Sequence, residues 1–196
     1  MDMRDELCNQ IKCGKDPSNV IKNFYIIRHT HSFLDKYEEA ENILTNVANF
    51  LDIDISSILI TGSAKIGFSL VKNTDFLPGK SDLDLAIVDS RLFTKYFDAV
   101  LKATEGYTKR NLFNSDEFYK SYLSCINKGV FHPRYMPNIY EKRRLLSFFS
   151  QESSKYRSHF GSISTCFYMS EFSFQNKQVS ALNKWINSYQ LELIGK

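Results

Sequence analysis

The chain is short of several things, and each shortage narrows the reading. No run of about 18 apolar residues occurs, which excludes a transmembrane helix. Cysteine is sparse: Cys8, Cys13, Cys125 and Cys166 follow neither a disulfide-framework nor a zinc spacing. The opening residues, MDMRDELCNQIKC, are polar and acidic and do not read as a secretory leader. The expectation is a cytoplasmic, reduced protein with no membrane partner. Charge of one sign is also lacking. Lys and Arg total 25 against 22 Asp and Glu, a formal net charge of +3, which permits a nucleic-acid partner without arguing for one. Internal repeats, low-complexity tracts and a dividing linker are absent. The 196 residues therefore read as a single domain spanning 1–196, with 43% hydrophobic residues to fill its core.

What is present concentrates between Ser57 and Asp89. Ile58-Leu59-Ile60 is an apolar run that reads as a buried strand, ending at Thr61-Gly62-Ser63. A polar loop from Val71 to Lys80, with Pro78-Gly79 as its turn, leads to Ser81-Asp82-Leu83-Asp84-Leu85 on a second strand. Strand residues two apart share a face, so Asp82 and Asp84 project together, opposite Leu83, Leu85 and Ile87. Two carboxylates held that close repel, and a divalent cation relieves the repulsion; Mg²⁺ prefers such hard oxygen ligands. Asp89, five residues beyond Asp84, faces the other way. Gly62-Ser63 at a strand-to-helix turn offers close backbone approach, a hydroxyl and free amides, which suits a phosphate. Lys65 follows as a candidate triphosphate contact, and Ser81 as a cap or a contact to phosphate.

The rest of the chain frames this stretch. Residues 1–50 read as a helical extension: a short helix or mobile arm to residue 23, then one long helix from about Phe24 to Leu51, broken near Thr30. His29 and His31 are two apart and share no helical face, so they do not read as a metal pair. Asp52-Ile53-Asp54 reads as a connector. Asp89 or Ser90 starts a further helix, and Asn114 with Glu117 resembles a capping box. Val130–Asn138 reads as a loop with His132 and Arg134 as candidate substrate contacts. Residues 139–157 read as a helix with Lys142, Arg143, Arg144, Lys155 and Arg157 as a basic face able to meet phosphates. Ser162–Ser170 reads as a strand, and a closing helix starts at about Asn176, within a C-terminal segment 175–196, with Val179, Leu182, Trp185 or Ile186, and Tyr189 as its apolar face. The expected class is α/β (α+β), a mixed sheet of three to five strands flanked by helices.

Gly-Ser opening a helix, followed by Asp-x-Asp on the next strand, resembles the signature of the polymerase-β-like nucleotidyltransferase superfamily. The resemblance spans about 33 residues, from Ser57 to Asp89. It implies Mg²⁺ (or Mn²⁺) on Asp82 and Asp84 as metal and catalytic ligands. It also implies a nucleoside triphosphate held by Gly62, Ser63, Lys65 and Ser81. A nucleoside monophosphate would then pass to a hydroxyl acceptor: a nucleotide, RNA, a protein or a small molecule. Compact members of that superfamily occur in bacterial toxin–antitoxin and phage-defence settings. The pattern departs in one place. Active members usually carry a third carboxylate on a later strand, and Ser162–Ser170 offers none; Glu171, just past it, is the nearest acid. That departure keeps open an alternative: an inactive nucleotidyltransferase-like protein that binds a nucleotide or a partner. Oligomeric state is not legible.

Overall fold

The computed structural model describes the backbone of residues 3–194 and the side chains of residues 3–188. Within them a four-stranded mixed sheet lies between two sets of helices, as the α+β expectation required. In chain order the regular elements begin with α1 (Met3–Lys12), α2 (Pro17–Ile21) and α3 (Tyr37–Leu51). Next come β1 (Ile58–Thr61), α4 (Gly62–Ile66), β2 (Leu83–Val88), α5 (Ser90–Ala103) and α6 (Asp116–Ile126). The chain closes with β3 (Val130–Phe131), α7 (Tyr140–Lys155), β4 (Ile163–Tyr168) and α8 (Glu171–Ile194).

The strands are ordered β1-β2-β4-β3. β1 runs antiparallel to β2, with Thr61 opposite Asp84. β4 runs parallel to β2, with Asp84 opposite Ser164. β3 adds two residues antiparallel to β4, opposite Phe167 and Tyr168. A parallel pair needs a long crossover, and α5, α6, β3 and α7 supply it.

Each sheet face carries its own core. On one face Leu83, Leu85, Ile87 and Phe167 pack with Val47 of α3, Tyr96 of α5, Tyr122 of α6 and Phe149 of α7. On the other, Ala86, Val130 and Tyr168 pack with Leu7 of α1, Val20 and Ile21 of α2, and Phe174 and Leu182 of α8. Period-two alternation along β2 assigns its residues to these two cores.

The N-terminal reading is corrected in detail. Of the two readings of the N-terminal stretch, the helical one holds from Met3 onward: α1 and α2 bury Leu7, Val20 and Ile21. The helix expected over 24–51 breaks near Thr30 as expected, but its pieces are three, a π-helical turn (Lys22–Ile27), a 3-10 turn (His31–Phe33) and α3. The break falls where Lys65 needs acceptors, as shown below. Ser115, not Asn114, caps α6, accepting from the Phe118 amide. Val130–Phe131 is a strand inside the expected loop, too short for a sequence pattern to mark. α8 begins at Glu171, five residues before the expected start. Tyr189, expected on its apolar face, lies outside the described side chains. No helix among the described residues is long and apolar enough to cross a membrane.

Candidate functional site

β1, α4, β2 and β4 meet at one end of the sheet, and the two aspartates stand there. Asp84 is the second residue of β2 and Asp82 immediately precedes the strand. They project toward the face that further along carries Ala86 and Val88. β4 supplies their neighbours: Ser164 Oγ donates to Asp84 Oδ1 at 2.7 Å, and Ser162 Oγ donates to Asp82 Oδ1 at 2.7 Å. From β1, Thr61 Oγ1 donates to the Asp84 carbonyl at 3.2 Å. Asp84 is half-buried, and burial pushes its carboxyl above the usual range, with the Asp82 charge adding to the rise. The Ser164 hydrogen bond and the charge of Lys72 oppose it.

Gly62 sits against this pair. Its φ of +66° is left-handed, and a Cβ built there would lie 2.9 Å from Asp84 Oδ2. Glycine answers both demands, since any side chain would be strained and would collide with the carboxylate. Gly62, Ser63, Asp82 and Asp84 thereby line one cleft of about 480 Å³. Tyr25 and Gln178, from the helices of the second face, border it too. Lys72 and Lys80 line the same cleft, and neither has an acidic partner within ion-pair distance among the described residues. The sequence reading passed over both as part of a polar loop. The available signal was two lysines in the segment joining the two halves of the motif.

Two expected phosphate contacts stand differently. Lys65 is not brought into the cleft. It is buried, and its ammonium donates to the Arg28 carbonyl at 2.6 Å and Thr30 Oγ1 at 3.4 Å. Burial lowers its pKa to about 8. Those acceptors come from the broken N-terminal segment, so Lys65 ties that segment to α4. Ser81 does line the cleft, with its Oγ accepting from the Leu77 amide at 2.9 Å, which closes the turn of the loop. Glu171, the nearest acid past β4, accepts from the Gln175 side chain in the first turn of α8 and does not line the cleft.

A second cavity, about 540 Å³, lies on the other side of Asp82. His132, Arg134, Arg157, Ser162 and Ser164 line it along with Asp82. Between the two cavities stands Gly161. Its amide donates to the Ser81 carbonyl at 2.9 Å. A Cβ there would lie 2.5 Å from the Lys80 carbonyl oxygen and 3.2 Å from Asp82 Oδ1. The sequence reading did not single out Gly161, because its crowding arises from a loop 80 residues away. The basic stretch of 139–157 is not a uniform face. Lys142 is buried, donating to the Met136 carbonyl and Asn138 Oδ1, and Lys155 pairs with Glu152.

No family model, curated protein or solved structure matches this chain. The site must therefore be read from its own chemistry.

Among the described residues no group of three or more His, Cys, Asp or Glu side chains converges as a metal cage. Asp82 and Asp84 fit a different arrangement. Each gives Oδ1 to a serine hydroxyl, and the described residues make no hydrogen bond to either Oδ2. A half-buried carboxylate beside a second one, each with an oxygen to spare, suits a hard divalent cation. Mg²⁺ is commonly held by one or two carboxylates, with phosphate oxygens and water completing its shell.

Proposed function

We propose that the chain is a divalent-metal-dependent nucleotidyltransferase. It would take a nucleoside triphosphate in the cleft of Gly62 and Asp84 and pass the nucleoside monophosphate to a hydroxyl acceptor. The observation that carries this reading is the contact of Gly62 with Asp84. It joins both halves of the motif in one cleft that also holds two unpaired lysines. A bound Mg²⁺ or Mn²⁺ would neutralise the triphosphate and the charge growing on the attacking and leaving oxygens.

The chain's own residues do the rest. Asp82 and Asp84 supply the negative charge that fixes the cation. Lys72 and Lys80 meet phosphate oxygens, a role the sequence reading gave to Lys65. Ser63 offers its hydroxyl beside the bare backbone of Gly62. The acceptor oxygen bonds to the α-phosphorus as the bond to the β-phosphate oxygen breaks, and pyrophosphate leaves with that electron pair. The hydroxyl proton passes to water, since β4 presents hydroxyls and no carboxylate to take it. RNA, a nucleotide or a protein would be the acceptor, and a cytoplasmic phage-defence or toxin–antitoxin setting accords with the family resemblance.

One observation favours a second reading, nucleotide binding without transfer. Ser164 stands beside Asp84 on β4, on the strand where active members of the family carry their third acid. Calorimetric titration of the four nucleoside triphosphates, with and without Mg²⁺, tests what both readings share. Binding should require Mg²⁺ and vanish in Asp82→Ala/Asp84→Ala; no binding to wild type would sink both. Transfer of α-labelled nucleotide to any acceptor then separates them.

A further inference from the structure

The cavity beyond Asp82 has a charge pattern of its own. Most arginines with described side chains are occupied. Arg4 pairs with Asp75, Arg28 with Glu6 and Arg91 with Asp89. Arg110 lies over the Tyr119 ring and Arg144 over Phe50. Arg134, Arg143 and Arg157 are the guanidinium groups without an acidic or aromatic partner among the described residues, and two of these three line this one cavity. Among the described residues Asp82 is its only acidic lining residue. The cavity's volume is in the range that encloses a mononucleotide-sized ligand. A guanidinium fork matches a phosphate bidentately, so two free forks beside a cavity select a phosphate over a neutral or cationic group.

His132 contributes without adding charge. Its Nδ1 accepts from the Arg134 amide at 3.3 Å, which leaves the proton on Nε2. Burial, with help from Lys177 and Arg134, lowers its pKa to about 4. At neutral pH it is an uncharged ring bordering the cavity. Ser162 and Ser164 border the cavity while bonding the two aspartates, so it reaches the cleft through the acids themselves.

We propose that this cavity is the acceptor site and that the acceptor is a phosphate ester carrying a free hydroxyl, held through its phosphate by Arg134 and Arg157. This rests on the nucleotidyltransferase reading and names its missing substrate class. The phosphate sits at the arginines, and the hydroxyl is delivered past Asp82 to the triphosphate. A mononucleotide and the 3′-hydroxyl end of an RNA strand share this chemistry. A protein side chain, which brings no phosphate, does not.

The test is calorimetry on wild type, Arg134→Ala/Arg157→Ala and Asp82→Ala/Asp84→Ala. The ligands are the four nucleoside 5′-monophosphates, the matching nucleosides and a short single-stranded RNA with a 3′-hydroxyl, each added with Mg²⁺ and a non-hydrolysable triphosphate already bound. Both arginines are exposed, so their truncation leaves the fold intact. A monophosphate or the RNA should bind wild type at least tenfold more tightly than the arginine variant, and the nucleosides should not bind. Which of the two binds identifies the source of the phosphate. Triphosphate affinity should be unchanged in the arginine variant. Equal binding to wild type and arginine variant, or no binding of any phosphate ester while the triphosphate binds, overturns the acceptor site and leaves the nucleotidyltransferase reading standing. Failure of the triphosphate to bind overturns that reading, and the acceptor role with it, even where an arginine-dependent phosphate site survives.

Discussion

The two faces of β2 differ in kind. Leu83, Leu85 and Ile87 are all buried, and that face is apolar from end to end. The other face begins with Asp82 and Asp84 and turns apolar only at Ala86. Helices cover both faces further along, but at this end Asp82 is exposed and Asp84 half-buried at the cleft, so solvent reaches only the polar end. The apolar face gains free energy along its whole length. The polar end of the other gives some up to hold two carboxylates together, a cost natural proteins carry at sites of function.

The comparison can be broken at adjacent residues. Leu85→Ala empties a site 1% exposed in the first core and should cost about 3 kcal/mol, read as a thermal midpoint roughly 10 °C lower. A loss under about 1 kcal/mol would mean that face is not the source of stability. The next largest effect is in pH. Folding depresses the His132 pKa, so its contribution is whole above the ordinary value near 6.5. As pH falls from there to about 4, up to about 3 kcal/mol should be lost. Denaturant midpoints across that range, for wild type against His132→Asn, isolate this share.

Asp84→Asn should move stability the other way. The folded state holds the Asp84 proton more tightly than the unfolded chain does, because burial raises its pKa. Ionisation therefore costs stability as pH rises through the carboxylate range. The variant should be more stable than wild type at pH 7, converging with it in acid, as denaturant midpoints at the two pH values would show. Added Mg²⁺ with triphosphate should raise the wild-type midpoint and leave the variant's alone. A destabilised Asp84→Asn would place this carboxylate among the structural groups. The smallest effect sharpens the contrast in binding. Lys65→Met should leave triphosphate affinity within about twofold, while Lys72→Ala should lower it about tenfold, a difference of about 1.4 kcal/mol. Calorimetric affinities for the two variants decide it.

Much of this architecture was legible because it is local. Alternation in β2 put both aspartates on one face, and the apolar run of β1 delivered Gly62-Ser63 to the same end of the sheet. What escaped was contact between distant segments. Lys65 read as a phosphate ligand because its spacing from Ser63 said so; the Arg28 carbonyl that holds it lies 37 residues earlier. Arg134 stood out as a candidate substrate contact on its loop and Arg157 as part of a basic face, but their common cavity depends on how α7 sets against β4. The serines of β4 were noticed as missing acids. Their hydroxyls reach the aspartates through a parallel register that no local pattern encodes.

Gly161 offers the experimenter a lever. Its missing side chain is what leaves room for both the Lys80 carbonyl and the Asp82 carboxylate. Alanine there adds one methyl group and changes no charge, ligand or hydrogen-bonding side chain. At 2.5 Å from a backbone oxygen, that methyl forces the loop and the strand entry apart. A Gly161→Ala chain would keep both acids and every cation yet hold them in the wrong register. It would separate where these groups stand from whether they are present, the one change that asks the cleft about spacing alone.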